Sequence, residues 1–302
     1  MKKNVFIGMI LAAFSLSIGI SAKDIKIGVL AKRGAKKCLK KWGPMAAYLS
    51  KKLNTKVRII PLKFTATDPA IKNKKVDFIL CNSSMFCNLQ KKYGLKTVAT
   101  MINSRKGKAL HMFGGVIFVR KDSPIKTLED IKGKKFACVK KSSFGGYQMA
   151  LRELKEHGIN PEKDCSKFIE AGKHDNVVFA VLNGVVDVGT VRTDTIERME
   201  AEKKCKLSDF RILNPMNKDF PFVCSTRLYP EWPIGCLKDT PKSIVEKMKS
   251  ALISMPKDSN AAKAAKIVGW KEPADYSSVI ACLKELGIGE FGKKKHVASP
   301  PK

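Results

Sequence analysis

Ser142 and Ser143 are the residues of this chain best placed to hold an anion. They follow Lys134 to Val139, a short stretch that reads as a strand. With Phe144, Gly145 and Gly146 they lead into a helical pattern from Tyr147 to His157, which Gly158 can end. A turn of hydroxyls and glycines between a strand and a helix aims free backbone N–H groups, and the positive end of the helix dipole, at one point. Glycine also lets a ligand approach the backbone closely. The same residues suit a plain helix N-cap by either serine. Four more polar turns fall at strand ends: Lys32-Arg33-Gly34, Asn82-Ser83-Ser84, Gly172 to Asp175, and Arg192-Thr193-Asp194. In open α/β sheets ligands gather outside the carboxyl ends of the strands. Five such turns exceed what capping needs and point to a ligand cleft.

Other chemistry finds less support. The four histidines, His111, His157, His174 and His296, sit in no HExxH pattern or metal-ligand pair. No GxSxG, GxGxxG or P-loop follows a strand. No catalytic residue, metal or cofactor is therefore expected. The nine cysteines are an odd number, so one thiol is left unpaired in a monomer. Cys81 with Cys87, and Cys224 with Cys236, are spaced so that either pair can bridge, and a buried free thiol is the competing reading for each. A cysteine-dependent redox or metal-handling protein, and an enzyme acting on a bound small anion, are the rival functions to test.

The formal charge of +31 comes mostly from lysines scattered through every segment. No basic helix, zinc-finger spacing or stacking motif gathers them, so nucleic acid is not the expected partner. The charge reads as solvated surface that draws in anionic ligands.

Residues 1–22 read as a signal peptide: Lys2 and Lys3, an apolar run from Val5 to Ile20, and Ala22 before Lys23. The run is short for a spanning anchor, and Ser15, Ser17 and Gly19 weaken it. Export to the periplasm is expected. Behind it, strands and helices alternate. Strands are predicted at Asp24–Leu30, Lys56–Leu62, Val76–Cys81, Gly114–Arg120, Phe136–Val139, Phe168–Ala171, Val185–Val191 and Asp209–Leu213. Helices are predicted at Gly43–Leu53, Asp68–Asn73, Asn176–Asn183, Ser243–Met255 and Asn260–Ile267. Another runs from Asp194 to Met199, with Glu197 at capping-box spacing. This is an α/β chain with buried-type strands.

Three stretches carry a family resemblance: SSFGGYQMA from Ser142, HDNVVFAVLNGVVDVGTVRTDTIERM from His174, and STRLYPEWP from Ser225. In that order the chain resembles the phosphate, phosphite and phosphonate-binding family of periplasmic binding proteins, over about Asp24 to Gly287. It is most similar to the branch used as periplasmic sensor domains, such as that of the tetrathionate-sensing histidine kinase. The resemblance implies a two-lobed type II periplasmic binding protein fold with two crossover strands forming a hinge, here Gly114–Arg120 and Asp209–Leu213. Residues 23–116 and 213–288 then form lobe one, 117–212 lobe two, and 289–302 a disordered tail.

The resemblance also implies a site. Ser142, Ser143, Phe144 and Gly145 form the anion turn, and His174 meets the ligand from a helix start. Asp194 meets a ligand amine or merely caps its helix. Arg33 and Trp42 reach in from lobe one, and Asn82 and Ser83 from the loop after Val76–Cys81. Arg192 offers a planar fork to an oxyanion. Met85-Phe86-Cys87 stand where many relatives carry tyrosine, so ligand choice is expected there, with a sulfur oxyanion as one possibility. The implied partners are a small oxyanion and either an ABC permease or a membrane sensor kinase or chemoreceptor. No kinase region follows, so signalling would run through a separate protein.

Overall fold

The computed structural model describes residues 23–292, and the expected signal peptide and residues 293–302 of the expected tail lie outside them. The first sheet starts with β1 (Ile25–Leu30), which pairs in parallel with β2 (Val57–Leu62) and β3 (Phe78–Leu80). Between β1 and β2 runs α1 (Ala35–Leu53). It begins two turns before the predicted start, because Gly43-Pro44 is carried inside the helix rather than at its head. A 3-10 turn (Phe64–Ala66) and α2 (Thr67–Lys72) lead to β3, and α3 (Ser83–Tyr93) follows it. Asn82 caps α3 by accepting the Met85 N–H at 3.0 Å.

The longest strand, β4 (Lys96–Arg105), has no counterpart in the predicted elements. It turns back into β5 (Lys108–Leu110) through Lys106 and Gly107, both at positive φ as a two-residue hairpin turn demands. The chain then passes β6 (Met112–Phe113) and enters the second sheet at β7 (Gly115–Arg120). Next come β8 (Lys135–Cys138) and a π-helical turn, Phe144–Gln148. That turn continues as α4 (Met149–Glu156), then α5 (Pro161–Asp164) and β9 (Lys167–Glu170). The sheet closes with α6 (His174–Leu182), β10 (Val188–Arg192), α7 (Thr195–Ala201) and β11 (Phe210–Leu213). Its order is β11-β7-β10-β8-β9. Alternate residues of β7 serve opposite cores, as the two-residue period of a strand requires. Val116 and Phe118 pack on one face, Ile117 and Val119 on the other.

The return path runs beside the outgoing one. Ser225 Oγ accepts the Ile117 N–H and Thr226 Oγ1 the Gly115 N–H, each at 2.9 Å. Then β12 (Tyr229–Pro230) pairs with β6, and β13 (Pro233–Cys236) enters the first sheet between β3 and β4. The passage between sheets is thus the β6–β12 ribbon. The two expected crossovers, β7 and β11, are neighbours inside the second sheet. Helices α8 (Lys242–Ile253) and α9 (Asn260–Ala265), strand β14 (Ile267–Lys271) and α10 (Ser277–Leu286) finish the first lobe. Its sheet order is β14-β4-β13-β3-β1-β2, with β5 on β4. Gly289–Phe291, the start of the expected tail, forms a 3-10 turn whose Glu290 N–H reaches Asn88 Oδ1 at 2.7 Å.

Candidate ligand-binding cleft

Strand ends from both sheets converge on a cavity of about 680 Å³. The first sheet supplies Lys32 and Arg33 after β1, Asn103 and Arg105 from β4, and Lys41 and Trp42 from α1. The second supplies His174 at the start of α6 and Arg192 and Asp194 after β10. Trp232, from the returning crossover, closes one side. A pocket of about 20 Å³ adjoins it and shares Lys32, His174, Arg192 and Trp232. Asn82, Ser143, Phe144 and Gly145 line this smaller space.

Nine of the eleven expected residues therefore meet at these two adjoining spaces, and two do not. Ser142 is exposed and lines a separate groove on another face, with Met85 and Tyr147. Ser83 is buried and donates to the Pro230 carbonyl at 2.7 Å, so it fastens the crossover instead of facing the cleft. Met85-Phe86-Cys87 is also displaced from its expected place. The three lie within α3, not on a lip of the cleft, and Phe86 and Cys87 are wholly buried in the first lobe's core.

The π turn sets its own residues. Ser143 precedes it without a side-chain capping bond. The N–H groups of its first residues have no acceptor within the helix, as at any helix start. Phe144 packs edge-on against Phe113 and Tyr229, docking the turn on the crossover ribbon. A Cβ on Gly145 would stand 2.9 Å from the Phe113 ring and 3.1 Å from Arg192 Cβ, so only glycine fits. At Gly146 it would stand 2.5 Å from Val139.

Three arginines at the cleft are held by ion pairs. Arg33 reaches Asp175 at 3.2 Å and Glu202 at 3.5 Å. Arg105 Nε donates to Asp194, and its Nη1 donates to the carbonyls of Ser104 at 2.7 Å and Lys266 at 2.9 Å. Arg192 engages Glu231 through both terminal nitrogens, the longer contact at 3.2 Å. Its fork is thus taken by Glu231 instead of standing open to an oxyanion, and its guanidinium lies 4.3 Å over the Phe113 ring. Asp194 does not cap α7. Its φ is +68°, and its carboxylate turns to Arg105. Glu197 is likewise not a capping partner, because its Oε1 accepts the Val223 N–H at 2.9 Å.

The charge balance is uneven. Burial opposes ionisation of Asp194, but Arg105, Arg192 and Lys32 outweigh it and hold the carboxyl well below its usual range. His174 accepts the Arg192 N–H on Nδ1 at 3.3 Å, and burial, with Lys32 and Arg192 nearby, keeps the ring neutral. Its proton is then on Nε2, a donor. Lys32 and Lys41 touch the cavity's solvent but are ringed by protein. Lys32 lies 5.3 Å over the Trp232 ring and Lys41 4.7 Å over Trp42. Neither ammonium group has an ion pair or hydrogen bond among the described residues. Burial, with Arg192 adding to it, pulls Lys32 down to about 7, and burial beside Arg105 and Lys32 pulls Lys41 well below its ordinary value.

Lys41, Arg105 and Trp232 are cleft residues that the sequence did not single out, as is Glu231, the buried partner of Arg192. Among so many scattered lysines nothing local marks Lys41, and Arg105 ends a strand that was not predicted. All nine cysteines are free thiols, so neither expected bridge forms. Burial pushes Cys38, Cys165 and Cys282 up to about 11, which leaves them protonated and unreactive at neutral pH. No cluster able to hold a metal occurs among the described residues, and no described helix is long and apolar enough to cross a membrane.

Two α/β lobes joined by a double crossover, with polar strand ends facing one cavity between them, define the periplasmic solute-binding class. The chain belongs to the family described as "ABC transporter, phosphonate, periplasmic substrate-binding protein", whose profile it matches over residues 27–277. This is a family of binding proteins, not of catalysts. The chain is 30% identical over 280 residues to the tetrathionate sensor histidine kinase TtrS of Salmonella typhimurium. That match takes in 92% of this chain but 46% of the kinase, so the chain spans about half the length of its curated relative. Among solved structures it is similar to PhnD1 of Prochlorococcus marinus in complex with methylphosphonate, with a TM-score of 0.70 and 16% identity over 87% of this chain and 98% of that one. The binding component of a phosphonate ABC transporter from Pseudomonas aeruginosa gives 0.71 and 16%, over 87% and 85%. At these identities the structures establish the fold.

Proposed function

We propose that the protein captures a small oxyanion in the inter-lobe cleft, in the periplasm, and presents it to a membrane partner. The observation that carries this reading is the pair of lysines, Lys32 and Lys41, facing one cavity with no carboxylate in ion-pair contact with either among the described residues. Ammonium groups ringed by protein cost free energy unless a counter-charge joins them. An anion between the lobes supplies it. His174 Nε2–H, Ser143 and the N–H groups of the π turn add neutral donors on the second-lobe side. Arg33 and Arg105 tie the lobes shut around the ligand through their cross-cleft pairs, which makes closure a hinge motion at the β6–β12 ribbon.

The sensing role rests on the relative that covers 92% of this chain, a tetrathionate sensor, and the family description keeps ABC-type uptake as the second role. Phosphonate, phosphite, phosphate and sulfur oxyanions are the candidate ligands. A thermal-shift panel with methylphosphonate, phosphite, phosphate, thiosulfate and tetrathionate tests the reading. A bound ligand raises apparent stability by mass action, by about 2.7 kcal/mol at a hundredfold excess over Kd. If no anion at millimolar concentration moves the midpoint, the oxyanion reading fails.

A further inference from the structure

The number of charges the cleft requires is written in its ion pairs. Arg105 is balanced by Asp194, and Arg192 by Glu231. Arg33 and Arg198 share Asp175 and Glu202. Each lysine instead rests against a tryptophan face, which attracts an ammonium without neutralising it. Lys37, Lys40, Lys106, Lys263 and Lys266 also line the cavity without ion pairs, but all five are exposed and solvated. Within the cavity that leaves two unbalanced cations at two stations, one after β1 and one within α1.

The cavity's size points the same way. At ~30 Å³ per water molecule, 680 Å³ holds some twenty waters. A compact oxyanion of five heavy atoms fills a small part of that. Trp42, Met101, Phe222 and Trp232 add apolar wall, suited to the body of a longer ligand.

The carboxylates set the converse rule. Asp194 and Asp175 are held by arginines, and Glu197 takes the Val223 N–H while burial pushes its carboxyl towards the neutral form. None is left for a ligand ammonium.

We propose that the cleft selects an extended anion with two negative groups, one at the Lys32–Trp232 station and one at the Lys41–Trp42 station, and that it rejects zwitterions. This rests on the oxyanion reading above.

Calorimetric titration of the whole chain with four sulfonates tests it: methanesulfonate, taurine, ethane-1,2-disulfonate and butane-1,4-disulfonate. Taurine matches the ethane disulfonate in length but carries an ammonium at one end. At least one disulfonate is expected to bind about tenfold or more tighter than methanesulfonate, which is ~1.4 kcal/mol, and taurine no tighter than methanesulfonate. In Lys32→Gln and in Lys41→Gln, each checked for an unchanged circular dichroism spectrum, that advantage is expected to vanish. Sulfate, thiosulfate or methanesulfonate binding as tightly as both disulfonates would overturn the two-station proposal and leave the oxyanion reading intact. Taurine matching the disulfonates overturns the exclusion of zwitterions. Binding of no anion at all, compact or extended, overturns both readings.

Discussion

Arg192 of β10 and Glu231 of the returning crossover form a two-point ion pair sealed from water, their side chains 7% and 0% exposed. Glu231 also accepts from Asn103 of β4 and from the Trp232 N–H at 3.2 Å. One carboxylate thus joins the second sheet, the first sheet and the crossover. Removing one member of such a pair strands the other, which costs about 3–5 kcal/mol. Glu231→Gln is expected to lower unfolding stability by that amount in urea titration. A loss under 1 kcal/mol would show that the pair is not sealed as described.

The affinity for a captured anion is expected to fall as pH rises from 7 to 9. Without a neighbouring anion Lys32 titrates at about 7, pulled down by burial and by Arg192 and Arg105 against Asp194 and Glu231. An anion beside it raises that value. Binding therefore takes up a proton at pH values between the two, and rising pH opposes it. His174, already neutral, contributes nothing in this window. Calorimetry in two buffers of different ionisation enthalpy reads the proton directly, and Lys32→Gln is expected to reduce the uptake.

Ser142 and Gly145, neighbours in the turn, separate under mutation. Ser142→Ala changes an exposed side chain away from the cleft and is expected to alter stability by no more than about 0.5 kcal/mol, with ligand affinity unchanged. Gly145→Ala forces a methyl against Phe113 and Arg192, and overpacking of this kind costs about 1–3 kcal/mol. It is expected to weaken anion binding as well, because the turn moves. Equal anion affinities of Ser142→Ala and Gly145→Ala would contradict a binding role for the turn.

Arg33 and Asp175 are partly exposed at the cleft, with side chains at 31% and 19%. Such a pair is worth about 0.2–1 kcal/mol. Asp175→Asn is expected to speed ligand release up to about fivefold while leaving the association rate nearly unchanged, as stopped-flow mixing would record. A slower association with unaltered release would mean the pair guides entry instead of holding the lobes closed.

The legible part of the molecule was its repeating part. Phe136–Cys138 is apolar throughout and Ile25–Leu30 is so except at Lys26, because both faces of their sheets are covered, and both read correctly as strands. Strand β4 was not, because Thr97, Thr100, Asn103 and Ser104 break its apolar pattern; Thr100 and Asn103 serve buried hydrogen bonds, and Asn103 and Ser104 the cleft. Helix α1 was truncated at Gly43-Pro44, which looks like a beginning and hid the turns that carry Lys37 and Lys41. The family motifs identified most of the cleft. Its pairings were out of reach, since Arg105 and Asp194 lie 89 positions apart and Arg33 and Asp175 142. No local pattern reports which unpaired lysines the fold encloses, and that enclosure separates Lys32 and Lys41 from the lysines of the surface.

The placement of β13 between β3 and β4 bears on how the chain acquires its shape. Everything needed for the second sheet lies between Gly115 and Leu213, so it can assemble as soon as that stretch is available. The first sheet cannot, because its interior strand begins only at Pro233 and its edge strand ends at Lys271. As the chain emerges from N- to C-terminus, the lobe that starts first must finish last. Its early strands wait with open edges while about half the chain is still to come, the kind of long-range pairing that slows folding and invites aggregation. The scattered lysines, by keeping such intermediates mutually repulsive, would serve the nascent chain as much as the mature one.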